Sequence, residues 1–205
     1  GGWQATGGIT FTGAPAEFRD CSFTDAHGED LINLIGVRFH FERCRFDGGP
    51  NDLFDGDFVT GDVIDCSFAN SGEDAIDVSG SLVTVRGCTF EKIGDKAFSV
   101  GEGSNVTAIA NHVRSASIAV ASKDRSMATI DDLTVDAVEH YVLAAFIKKP
   151  QFGGSHMVVK NLHWTGATPA LHIAQTGCSI EVDGVTIPTE PIDVEALYRQ
   201  KVLGK

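Results

Sequence analysis

The chain has 205 residues, with 28 Asp or Glu against 16 Lys or Arg and a formal net charge of −12. That balance argues against nucleic acid or an anionic membrane surface as partner, because phosphate binding needs clustered Lys and Arg. No apolar run approaches the roughly 20 residues of a membrane helix, and a 42% hydrophobic share argues against disorder. The length suits one domain with a real core. Residues 1–102 hold 18 acids and 7 bases, so nearly all the net charge belongs to the first half.

The chain opens Gly1-Gly2-Trp3-Gln4, with no Met and no basic or apolar leader, and reads as an excised or mature piece. From there a period takes over. Cys21, Cys44, Cys66 and Cys88 are spaced by 23, 22 and 22, and each is followed two residues later by Phe23, Phe46, Phe68 or Phe90. The Phe column continues as Val113, Val135, Trp164 and Ile187, and the Cys column as Asn111, Leu133, Leu162 and Val185. Three residues before the Cys column stand Phe18, Phe41, Val63, Val85, Ala108, Ile130, Val159 and Val182. Another inward column reads Ile32, Phe54, Ile76, Phe98 and, less regularly, Ile118. A neighbouring one reads Leu34, Gly56, Val78, Val100 and Val120.

A fixed period of this size signals stacked units. Short alternating segments rich in β-branched and aromatic residues make those units strands. The spacing predicts about eight coils of a parallel β-solenoid, one longer by an insertion around 148–155. The four Cys form an inward ladder of reduced thiols, with Cys178 outside their column. Asp193–Val202 predicts a short lid helix, with Asp193 as N-cap and Val194, Leu197, Tyr198 and Val202 on one face. The domain division is 1–188 for the solenoid and 189–205 for the capping segment. An open solenoid end exposes strand edges, so an upstream domain, or Trp3 with the first segment, is expected to cover the N-terminal end.

Two stretches, Val83-x-Val85-x-x-Cys88-x-Phe90 and Gly72-Glu-Asp-Ala-Ile-Asp-Val-Ser-Gly-Ser81, resemble the repeat of the pectin-lyase-like superfamily. The resemblance covers about residues 9–188. It implies an all-β, single-stranded, right-handed parallel β-helix with a short C-terminal capping helix. Handedness comes from this resemblance alone. It also implies an extracellular or cell-surface location and a carbohydrate-facing module that cleaves or binds a polysaccharide. The rival is a non-catalytic structural or adhesive domain of a larger exported protein. The polygalacturonase-like hydrolases are similar in carrying Asp on adjacent coils, here Asp55 and Asp77, but their Gly-His-Gly and Arg-Ile-Lys segments are missing. The pectate-lyase-like enzymes use Asp-held calcium and an Arg base, and no outward Arg aligns with the Asp cluster here.

Strand alternation aims one row outward as Asn33, Asp55, Asp77 and Ser99, and the next as Ile35, Asp57, Ser79 and Gly101. The turns ahead of these strands add Glu29-Asp30, Asn51-Asp52, Glu73-Asp74 and Asp95-Lys96. Stacked carboxylates repel and need protons, a cation or basic neighbours. Three readings stay open: ladder residues without chemistry, a Ca²⁺ site from Asp55, Asp57, Asp77 and Glu102, or the acid and base of a sugar-cleaving site. Asp55 and Asp77 are the candidates for hydrolysis, and Lys123 is the candidate base for β-elimination. Ser79, Ser99, Lys148, Lys149 and His172, the last placed in the outward row, are candidate substrate contacts.

Overall fold

The computed structural model describes residues 7–25, 27–166 and 171–204. The chain winds through about eight coils, each contributing up to three short parallel strands. The first face begins with Gly7–Thr12, Asp30–Ile35, Phe54–Asp57 and Ile76–Ser79. It continues through the end of Thr89–Gly101 to Ala116–Lys123, Val138–Phe146 and His172–Ala174. The second face runs from Ala16–Arg19 to Ser179–Val182, and the third begins at Ser22–Thr24.

The predicted registers of the second face hold along its whole length, from Phe18 against Phe41 to Val159 against Val182. The Phe column also holds from Phe23 to Trp164. It ends there. Val185 and Ile187 belong to a reversal in which Val185–Thr186 pairs antiparallel with Ser179–Val182, so neither continues its column. The insertion is the loop between Val138–Phe146 and His156–Trp164. Trp3 lies outside the described residues.

On the first face the expected columns are shifted after coil four. Phe98 pairs with Val120 and Val100 with Ser122, while Ile118 lies opposite Lys96. A register irregularity between Ile93 and Lys96 accompanies the shift. The alternation misleads here because Ala116–Lys123 is buried on both faces, and a strand covered on both sides loses its period-two signature. The outer cover is the C-terminal segment. Its helix, Val194–Arg199, is capped by Asp193 as predicted, with Ala196 N–H donating to Asp193 Oδ1 at 2.9 Å. Val194 and Leu203 pack with Ile118, Ala121, Ala144, Phe146 and Ile173, which face outward from coils five to seven. The apolar face of the helix is thus spent on the side of the solenoid.

Corners explain the ladders. Between the second and third faces one residue per coil is left-handed: Asp20, Arg43, Asp65, Gly87, Ala110, Asp132, Asn161 and Asp183 all have φ between 49° and 66°. Such a corner turns the chain away from the ladder and leaves the next N–H in need of an acceptor. Cys44 N–H donates to Cys66 Sγ at 3.3 Å, and Cys66 N–H to Cys88 Sγ at 3.4 Å. Cys88 N–H then donates to Asn111 Oδ1 at 2.9 Å. The thiols are corner acceptors as well as small apolar fillers. A second ladder, unforeseen from the sequence, serves the corner after the first face. Val59, Ser81 and Ser104 donate their N–H groups to Ser81, Ser104 and Ser126 Oγ at 2.9, 3.0 and 3.2 Å. Ser155 N–H donates to Cys178 Sγ at 3.4 Å. Cys178 therefore has a column of its own, occupied elsewhere by Ser.

All five cysteines are free, and four are buried; Cys21 is the partly exposed one. An aromatic disulfide reagent is expected to modify Cys21 quickly in the native protein, and Cys44, Cys66, Cys88 and Cys178 only on unfolding. More than one fast thiol contradicts these corners.

Candidate functional site

The outward side of the first face carries three aligned rows over coils one to five. The first lies in the turns. Asp74 N–H donates to Asp52 Oδ1 at 2.7 Å, and Lys96 N–H to Asp74 Oδ1 at 2.8 Å. Lys96 is 3% exposed and ends the stack. Its ammonium lies 2.6 Å from Asp95 Oδ2 and 3.5 Å from Asp74 Oδ1. Burial alone would depress its pKa, but Asp74 and Asp95 outweigh burial and hold it above the usual lysine value. The C-terminal tail closes over this pair. A Cβ built on Gly204 would lie 3.0 Å from both Asp95 Oδ2 and Lys96 Nζ.

The second row is Asn33, Asp55, Asp77 and Ser99, in the predicted register. Asn33 Nδ2 donates to Asp55 Oδ2 at 2.5 Å. Burial, then the charges of Asp57 and Asp77, push the Asp55 carboxyl up to about 8. Asp77 Oδ1 and Ser99 Oγ are buried atoms without a hydrogen-bond partner among the described residues. The third row is Ile35, Asp57, Ser79 and Gly101, with Lys123 above it. Lys123 is the principal displacement from expectation. It ends the strand Ala116–Lys123, is buried, and extends past Gly101 to place Nζ 3.8 Å from Asp77 Oδ1. A Cβ on Gly101 would come within 3.2 Å of Lys123 Cε, so glycine keeps this path open. Burial opposes the Lys123 charge, yet the field of Asp77 raises its pKa.

The other candidates divide. Glu102 pairs with Lys149, and Lys148 Nζ sits 4.8 Å over the Tyr198 ring. The backbone N–H groups of both lysines donate to Asp124 Oδ1, at 2.8 and 2.6 Å. His172 is not in the outward row. It aligns with Leu143 on the inward side, and burial lowers its pKa; Ile173 is the outward residue, beneath the C-terminal segment. The carboxylates that converge are Asp52, Asp74 and Asp77, with ligand atoms within 4.8 Å of one another. The expected set of Asp55, Asp57, Asp77 and Glu102 does not form one cluster among the described residues. Calcium takes six to eight oxygens. Here two of the three carboxylates already accept backbone N–H groups, and Lys96 and Lys123 supply the compensating charge. These residues do not fit a resident calcium ion.

Burial followed by the charges of Asp74 and Asp77 pushes Asp52 up to about 9, and burial followed by Glu29 pushes Asp30 up to about 6. Carboxyls protonated in the fold but ionised in the unfolded chain make stability fall as pH rises from about 4 through their folded values. Asp20 and Glu42, lowered by hydrogen bonds from Arg43 and Arg19, act in the opposite sense but only at the acid end. The raised lysines lose their contribution only above the ordinary lysine range. Thermal stability is thus expected to peak near pH 5 and decline toward pH 9, with Asp52→Asn flattening the decline. A melting temperature that climbs from pH 5 to pH 8 contradicts this assignment.

No curated protein matches the sequence. A solved structure titled "Glycoside hydrolase" aligns with 84% of this chain and 40% of its own, at 11% identity and a TM-score of 0.43. The chain thus spans less than half the length of that protein. The family described as "Right handed beta helix region" matches residues 7–187. With that match added to the coils and registers above, the chain belongs to the family of right-handed β-helix regions.

Proposed function

We propose that this β-helix is a glycan-processing module that hydrolyses a glycosidic bond, with Asp55 as the proton donor and Asp77 as its partner carboxyl. The observation that carries the reading is their juxtaposition. They are paired residues of adjacent strands on one outward row, about 4.8 Å apart by strand spacing. Asp55 is half-buried, and burial with the charges of Asp57 and Asp77 raises its pKa against the opposing hydrogen bond from Asn33, whereas Asp77 faces the Lys123 ammonium. Two neighbouring carboxyls in unlike surroundings, one raised by burial and the other beside an ammonium, are the arrangement an acid and base couple needs. Lys123 kept charged by Asp77 is poorly suited to abstract a proton, which favours hydrolysis over β-elimination. Its role on this reading is to hold Asp77 in place beside Asp55. A polysaccharide substrate sets the workplace at the cell surface or outside the cell.

Screening neutral and acidic polysaccharides with a reducing-end assay and ultraviolet absorbance tests this. Hydrolysis gives reducing ends alone, while a lyase also gives an absorbing unsaturated product. Asp55→Asn and Asp77→Asn should each lower the rate by roughly 10²–10⁴-fold, the usual share of a positioned acid or base. Unsaturated product, or full activity in both variants, rejects the assignment. The structural, non-catalytic reading draws on the turn row, where Asp52 and Asp74 serve as acceptors for the next coil's backbone. That use explains those two carboxylates but not Asp55 or Asp77.

A further inference from the structure

The corner after the first face holds an aromatic residue that the core does not use. Phe58 is 69% exposed and has φ of 54°. Its column reads Gly36, Phe58 and Gly80, and both glycines are also left-handed, with φ of 64° and 60°. The three are held alike: Gly36, Phe58 and Gly80 N–H donate to the Asp57, Ser79 and Gly101 carbonyls at 2.8, 2.8 and 3.4 Å. Left-handed backbone suits Gly and, less well, Asn or Asp; a bulky aromatic there is an outlier. The strain is not offset by burial. A Cβ on Gly80 would fall 2.7 Å from both Cδ1 and Cε1 of Phe58, so the ring lies across the space that glycine leaves on the next coil. Strain without core packing points to a use at the surface.

The surroundings say which use. Asp57 directly precedes Phe58 and points outward beside Ser79, with Asp55 and Asp77 in the adjoining outward row. Ile35, 39% exposed, lies beneath Asp57 in the same row. An apolar ring face flanked by carboxylate acceptors is complementary to a pyranose, which offers C–H groups on one face and hydroxyl donors at its rim. The carboxylates of Asp55, Asp57 and Asp77 oppose an anionic sugar.

We propose that Phe58 is the stacking platform of a subsite for a neutral sugar at the edge of the acidic face. This rests on the glycan reading above and goes beyond it in naming the sugar class and the residue that holds it.

Native gel electrophoresis through β-glucan, xylan, galactomannan or polygalacturonate tests the proposal with wild type, Phe58→Asn, Phe58→Tyr and Asp55→Asn. At least one neutral polysaccharide should retard the wild type, and Asp55→Asn serves for the cleavage readout only. Phe58→Asn should bind about tenfold more weakly, Phe58→Tyr should retain binding, and Phe58→Asn should melt at the same temperature or higher. A folded Phe58→Asn that binds as the wild type does overturns the platform. So does a lowered melting temperature in Phe58→Asn, retardation by polygalacturonate alone, or a concentration-dependent dimer that Phe58→Asn dissolves. The two readings fail separately. Cleavage lost in Asp55→Asn while Phe58→Asn binds normally rejects the platform and keeps the hydrolase. Phe58-dependent retardation by a neutral polysaccharide with no cleavage by any protein does the reverse. No retardation in any gel rejects the platform outright, and a full set of inactive substrates then rejects the hydrolase.

Discussion

Phe68→Ala is expected to remove about 3–5 kcal/mol of stability, as for buried aromatics generally. The ring is 1% exposed and lies at the centre of a stack. Its centroid is 4.6 Å from Phe46, at an interplanar angle of 2°, and 5.2 Å from Phe90, at 9°. Truncation would open a gap between two rings whose spacing is set by the strand ladder, so the site has little room to collapse. Phe23 tests the argument from the other side. It is only partly buried and has one such neighbour in the stack, Phe46 at 5.3 Å. Phe23→Ala should therefore cost clearly less. Urea unfolding of both variants gives the comparison, and equal losses would contradict a position-dependent stack.

Lys96→Met should be about as damaging, for an electrostatic reason. The ammonium is the counter-charge of Asp74 and Asp95, each 5% exposed. Removing one partner of a buried ion pair leaves an uncompensated charge, at about 3–5 kcal/mol. Lys96→Arg, which keeps the charge, should lose clearly less in urea unfolding. Equal losses in Lys96→Met and Lys96→Arg would show that lost packing, not lost charge, is responsible. Asp74→Asn combined with Lys96→Met should recover part of the deficit, since it removes one of the stranded charges.

The fold was legible because a solenoid writes its geometry into sequence separation. Cys44, Cys66 and Cys88 with Phe46, Phe68 and Phe90 recur at the step that one coil imposes. The outward rows around Asp55 and Asp77 followed from alternation alone. Two things were not legible. Alternation fails for Ala116–Lys123, where the C-terminal segment buries the outer side too, so Ile118 passed for a member of the inward column and Lys123 for a turn residue. Nothing local announces that cover, because it comes from residues about 75 positions later in the chain. The Ser81, Ser104, Ser126 ladder had the right period throughout. It escaped notice because Ser is so common in turns that its recurrence carries little weight.

The contact between Gly204 and the Asp95–Lys96 pair joins positions more than a hundred residues apart in a chain whose other contacts mostly reach one coil away. Coils of this kind can form in order as a ribosome delivers them, each templated on the one before. Residues 193–204 are made after every coil. Until they emerge, the outer faces of Ile118, Ala144 and Phe146 stay wet, and a ribosome-bound chain carries a complete ladder with a bare apolar flank. Residues 193–204 thus protect a surface laid down well before them, and a chain stalled or clipped short of them would be marked by that exposed flank.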